Sequence, residues 1–126
     1  MSFSNAFETT VLTWAFTTGS ATRPTAWHLA LFTSNPAEDA SGTEVSGGAY
    51  ARQAVTFTVS GNTASNSGAI EYPTATAGYG TVSHVGVFDA SSGGNLISYA
   101  ALTTSKTIDT GDVFRVPAGE LDITLD

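Results

Sequence analysis

The chain of 126 residues predicts an all-β fold: a single antiparallel β-sandwich or jelly-roll domain of about eight strands with a short N-terminal helix. Three observations carry this expectation. Threonine and serine together number 34, beside 13 glycines and a single lysine; threonine favours pleated, half-buried surfaces, while serine and glycine punctuate turns. Short stretches of period-two alternation recur from residue 26 onward between Gly-, Asn- and Pro-containing turns, the spacing expected of a sandwich or jelly roll. Helical periodicity occurs once, before residue 18. The length suits one domain over residues 1–126, since two separate cores would each be too small.

Residues 1–20 form the N-terminal helical segment. Phe3, Phe7, Val11, Trp14 and Ala15 recur at spacings of three and four, one face of a helix, and Ser4 can cap it with Phe3 as the preceding apolar residue. Thr9, Thr10 and Thr13 lower helix propensity, so the helix depends on docking its aromatic stripe. The domain's own sheet and a neighbouring subunit are the two candidate docking surfaces. After Gly19-Ser20 and Pro24, residues 26–33 alternate, with Trp27, Leu29 and Leu31 on one face and His28, Ala30 and Phe32 on the other; both faces are apolar enough for a core strand. Residues 34–48 hold Pro36, Glu38, Asp39, Glu44 and three glycines without periodicity and read as a long exposed loop, a class of segment that is often functional. Alternation returns over residues 50–59. Gly61-Asn62 marks a turn, residues 69–72 a short strand and residues 73–80 a Gly/Ala/Thr loop. Residues 81–89 and 96–102 form a hairpin across the glycine-rich turn 91–95. Strands at 106–108, 112–116 and 121–125 complete the set.

Charge excludes several partners. Four basic and eleven acidic residues give a net charge of −7, and Arg23, Arg52, Lys106 and Arg115 are scattered, so no basic stripe is present to neutralise a phosphate backbone and no nucleic acid is expected. No apolar run approaches the roughly 20 residues of a membrane helix, and no leader pattern is visible, so neither a membrane nor a targeting segment is expected. With no cysteine, there is neither a disulfide framework nor a thiolate metal site.

Chemistry-bearing residues are sparse. His28 and His84 both lie in strand patterns between apolar neighbours, and no Gly-x-Ser-x-Gly elbow singles out a nucleophile for either, so no catalytic residue is expected. Glu38, Asp39 and Glu44 could supply the carboxylates of a glycosidase or bind Ca²⁺, but no second carboxylate cluster converges on them and the spacing is not that of an EF-hand loop. No metal or cofactor is expected. Gly78-Tyr79-Gly80 and Gly93-Gly94 precede no helix pattern, unlike phosphate-binding loops. Aromatic side chains could stack on sugar rings, with Trp27 and Tyr79 as the carbohydrate-binding candidates, Tyr79 being the best exposed of them.

Two stretches, residues 29–57 (LALFTSNPAEDASGTEVSGGAYARQAVTF) and 84–102 (HVGVFDASSGGNLISYAAL), together with Ala69-Ile-Glu-Tyr-Pro73, resemble small virion proteins of tailed bacteriophages described as tail-fibre-like or head-decoration (cement) proteins. The similarity covers roughly residues 26–125 and is a pattern of strands and turns. It implies a non-enzymatic, β-rich structural subunit located in the virion, homo-oligomeric, with other virion proteins (the major capsid protein or tail proteins) as partners. Because no shaft repeat, heptad or collagen-like triplet is present, a compact capsid-decorating subunit is the leading expectation, with a tail-tip module binding host carbohydrate as the alternative. On the first reading the contact devices are the N-terminal segment, through Phe3, Phe7 and Trp14, and the acidic loop, through Glu38, Asp39 and Glu44.

Overall fold

The computed structural model describes residues 1–125, and its architecture follows from which stretches can bury alternate side chains. Leu29 and Leu31 point to one side of strand β2 (His28–Phe32) and Ala30 and Phe32 to the other, and all four are buried. That strand sits inside a five-stranded antiparallel sheet. Its neighbours are β7 (Gly80–Phe88) on one edge and β3 (Gln53–Ala54) on the other, while β8 (Leu96–Ile108) pairs with β7 and the two-residue β1 (Ser2–Phe3) pairs with β8. Register is continuous from His28↔Phe88 to Phe32↔His84. Strand β8 runs against β7 with register shifts between Val82 and His84 and between Val87 and Phe88. Bulges of this kind bend a strand and raise its twist. Beyond Tyr99 the outer edge of β8 faces no other strand among the described residues.

A three-stranded sheet is built from β4 (Phe57–Ser60), β5 (Thr63–Asn66) and β10 (Asp122–Thr124), with β5 in the centre. A two-stranded ribbon joins β6 (Ile70–Glu71) to β9 (Arg115–Val116). The all-β, antiparallel expectation holds, and the described residues contain ten strands in three open sheets where about eight strands were expected. Two strands, β1 and β5, are additional, the expected 50–59 stretch is divided into β3 and β4, and the strands expected at 96–102 and 106–108 form the single β8.

The main core lies on the inner face of the large sheet, where Leu29, Leu31, Val85, Val87 and Ile97 cluster with Val55, Ile70, Tyr72, Phe114 and Leu121 from the smaller sheets and their connections. A smaller cluster on the outer face holds Ala30, Phe32, Phe88 and Leu96, with Ala40 and Tyr99 packed against it. Gly86 lies beneath this cluster because a Cβ there would stand 2.9 Å from Leu96 and 3.2 Å from Phe32.

Segment 34–48 is exposed along most of its length, but it is anchored. Pro36 and Val45 are buried, Val45 N–H donates to the Leu31 carbonyl at 2.9 Å, Thr33 N–H donates to Thr43 at 3.0 Å, and Glu44 bridges to Phe32. The loop therefore returns to the free edge of β2. Ala37, Ala40 and Ala49 all take positive φ, from 55° to 70°, a conformation that is uncommon outside glycine.

Asn66, 2 % exposed, ties the end of β5 to the turn before β10. Its side-chain amide donates to the carbonyls of Gly68 at 2.8 Å and Pro117 at 3.0 Å, and its Oδ1 accepts from Leu121 N–H at 2.9 Å. Asn66→Ala removes these bonds and leaves buried backbone groups unpaired. It is expected to lower unfolding free energy by about 2–3 kcal/mol, as measured by urea denaturation; a loss below about 0.5 kcal/mol would show that the turn is held some other way.

Candidate functional site

Helix α1 (Asn5–Phe16) begins as the sequence predicts. Ser4 is the N-cap, with its Oγ accepting from Phe7 N–H at 3.2 Å. Ser4 is also 1 % exposed. Its hydroxyl donates to the Leu96 carbonyl, and its N–H donates to the Ile97 carbonyl at 2.9 Å. One side chain thus starts the helix and ties it to the first residues of β8. Phe3 meets Phe7 edge-on at 4.9 Å, and Phe7 packs against the main core. Of the two candidate docking surfaces, the domain's own sheet takes only this anchored end: no residue of the helix is buried, Trp14 is 70 % exposed, Leu12 57 % and Phe16 80 %.

Two apolar grooves adjoin the helix. One, of about 270 Å³, is lined by Phe7, Thr10, Val11 and Trp14 on the helix and by residues 21–24 on the chain that follows it. The other, of about 340 Å³, lies between the start of α1 and the three-stranded sheet and includes Phe3, Phe7, Trp27, Phe57, Val59 and Leu125. Phe7 lines both. Val59 and Leu125 on its far rim are 75 % and 55 % exposed.

The remaining sequence candidates are placed as follows. Glu38 and Asp39 are exposed. The Glu38 carbonyl accepts from Asn5 N–H at 3.2 Å, which sets the acidic loop beside the helix start. Hydrogen bonds from Ser41 hold the Asp39 carboxyl below the usual carboxylate range. Glu44, expected as a free acidic contact, is instead committed internally. Its carboxylate accepts two hydrogen bonds from Arg52, at 2.9 and 2.8 Å, and one from Tyr50 Oη at 2.6 Å. Arg52 also donates to the carbonyls of Ala90 at 3.1 Å and Gly93 at 2.7 Å, and its guanidinium lies 3.8 Å from the centre of the Phe88 ring.

Tyr79, expected to be exposed between its glycines, is 5 % exposed. It lies edge-on to Tyr50 at 5.8 Å, its hydroxyl donates to the Pro73 carbonyl at 3.3 Å, and no ring face is left open for a sugar. Trp27 is half-buried against the main core. His84 is half-buried in β7, with Nδ1 2.7 Å from Ser83 Oγ. His28 is half-buried in β2, and its Nδ1 has no hydrogen-bond partner among the described residues. Among the described residues no cluster of His, Asp and Glu could hold a metal ion, and no helix is long and apolar enough to cross a membrane.

Leu12, Phe16, Val59 and Leu125 fall outside the sequence-derived stripe, yet they are among the most exposed apolar side chains. The six-residue run Val11-Leu-Thr-Trp-Ala-Phe16 is apolar at five positions, a signal for Leu12 and Phe16 but not for Val59 or Leu125.

A small β-rich body with exposed apolar residues on its helix, two apolar grooves beside it and no cluster of catalytic groups among the described residues fits the class of structural proteins. The chain belongs to the family described as Podophage GP4 fiber I protein gp80, whose model matches residues 2–124. It is therefore a structural component of a bacteriophage virion, in agreement with the resemblance read from the strands and turns, and the match includes the N-terminal helix that the resemblance did not cover. No curated protein matches the chain.

Burial pushes the Glu44 carboxyl up, but the hydrogen bonds from Arg52 and Tyr50 outweigh it and hold the carboxyl below its ordinary 4.5. A depressed carboxyl contributes stability above its unfolded pKa and loses it as pH falls through the lowered folded value. Wild-type urea midpoints should therefore fall more steeply than those of Glu44→Gln once pH drops below 4.5; parallel curves would exclude this linkage. Arg52→Ala should cost about 3 kcal/mol at neutral pH, the low end for breaking a buried pair, because Glu44 keeps some contact with water.

Proposed function

We propose that this chain is a non-enzymatic, homo-oligomeric subunit of a podophage fibre, packed as a β-sandwich, that attaches to neighbouring virion proteins through α1 and the grooves beside it. One observation carries the reading: the helix keeps its capped end fixed to β8 while Leu12, Trp14 and Phe16 remain 57–80 % exposed. Burying a large apolar side chain gives about 1.5–3 kcal/mol, so a partner that covers these positions stabilises the assembled form by mass action. Glu38 and Asp39, beside the helix start, lie on the rim of the same contact, and Phe3 and Phe7 form its floor.

The family description favours a fibre over the capsid decoration expected from compactness alone. Trp27 and Tyr79 take no part in this reading, since one is half-buried and the other buried.

Immunogold labelling and quantitative mass spectrometry of purified virions should place the protein at the tail, in a handful to a few tens of copies. Label spread over the capsid, with hundreds of copies, would overturn the fibre assignment. The double variant Trp14→Ala/Phe16→Ala should keep the folded circular dichroism spectrum of the wild type, because both side chains are exposed on the subunit, while sharply reducing incorporation into particles; normal incorporation would remove α1 from the contact.

A further inference from the structure

The apolar side chains of α1 do not form one stripe. Successive helical residues turn by about 100°, which sets Phe7, Thr10, Val11 and Trp14 on one side, where they line the 270 Å³ groove with residues 21–24, and places Leu12 and Phe16 roughly opposite. A surface helix normally turns one apolar stripe to the core, yet α1 carries apolar residues on two sides and none of its residues is buried. One side is a ridge, with Phe16 at 80 % exposure. The other is a hole, and its volume falls below the roughly 300–1,000 Å³ of a small-molecule pocket, a size suited to side chains.

We infer that the ridge of one copy, Phe16 with Leu12, inserts into the groove formed by Phe7, Val11, Trp14 and Pro24 of the next, so that subunits associate head to tail through α1 and close into a ring. This rests on the homo-oligomeric reading above and specifies its geometry. Charge supports a second copy as the occupant. Glu8, the only charge on the helix, lies one turn before Leu12 on the ridge side, while Arg23 stands on the groove and has no ion-pair partner among the described residues. Head-to-tail docking brings Glu8 of one copy toward Arg23 of the next, whereas ridge-to-ridge docking would set Glu8 against Glu8; such complementarity fixes orientation.

Leu12 and Phe16 on the ridge and Trp14 on the groove are 57–80 % exposed, so the contact takes three large apolar side chains out of water. Because ridge and hole lie on opposite sides of one helix, the contact is heterologous, and a heterologous contact that closes yields a cyclic ring in place of a two-fold dimer.

Native mass spectrometry of the full chain tests this with two variants at exposed positions, Phe16→Asp in the ridge and Trp14→Asp in the hole. Wild type should form a single species of more than two 12.9 kDa chains. Each variant alone should be a folded monomer that still unfolds cooperatively, at a thermal midpoint below that of the assembled wild type. Mixed in equal amounts they should give a one-to-one dimer and nothing larger, because one intact ridge then meets one intact hole. The charge swap supplies a second arm: Glu8→Arg and Arg23→Glu should each weaken the ring, and the two together in one chain should restore it. A wild type that stops at a two-fold dimer, or a variant mixture that stays monomeric, overturns head-to-tail docking. Variants that keep the wild-type mass remove α1 from the contact while leaving the oligomer in place, and a monomeric wild type overturns both this inference and the homo-oligomeric reading.

Discussion

The guanidinium of Arg52 joins stretches of chain that no regular hydrogen-bond ladder could hold together. It makes four hydrogen bonds, two to the Glu44 carboxylate and two to the carbonyls of the 89–95 turn, and stacks on Phe88. Its side chain is only 8 % exposed. In a chain without cysteine, this contact does what a covalent staple does elsewhere, fixing the long loop after β2 and the β7–β8 connection to the outer face of the main sheet. The connection is itself prepared for the contact. Asp89 accepts from the N–H and the side chain of Asn95 at 2.7 and 3.0 Å, and Gly94 has φ 72° where a Cβ would lie 2.5 Å from the Asp89 carboxylate. Tyr50 extends the network inward: its hydroxyl bonds Glu44 and accepts from Leu31 N–H at 3.1 Å, and its ring stacks on Tyr72, which bonds the Leu29 carbonyl.

Features with a short-range cause could be read directly from the residues. The two-sided burial of β2 followed from strict alternation of Leu29, Ala30, Leu31 and Phe32, and the helix start followed from Ser4 ahead of an apolar run. Arg52 was illegible because its acceptors lie 8, 38 and 41 residues away, and no local pattern encodes such a meeting. Tyr79 was misplaced for a related reason. Flanking glycines usually mark an exposed turn, but Tyr79 N–H donates to the Ile108 carbonyl at 2.8 Å, drawing the ring under the sheet. The exposure of Leu12 and Phe16 was missed because a search for one helical stripe discards the residues that lie off it. Strands β1 and β5 were missed because β1 has only two residues and β5, Thr63-Ala-Ser-Asn66, carries no apolar alternation; pairing with β8, and with β4 and β10, makes them strands.

The distribution of charge now has a structural meaning. Among the described residues the one ion pair lies within the fold, leaving Arg23, Lys106 and Arg115 as cations outside it. Glu8, Glu38 and Asp39 gather around the helix start, whereas the run Val11–Phe16 carries no charge. An acidic rim beside a neutral apolar run has the composition of a surface with a hydrophobic core and a polar border.

Strand β8 has thirteen residues, on the order of 40 Å at about 3.3 Å per residue. The helix is tied to its first two positions through Ser4, and most of the strand lies antiparallel against β7. Any pull that reaches the fold through α1 enters β8 at those two positions, where the antiparallel pairing with β7 spreads it over many hydrogen bonds.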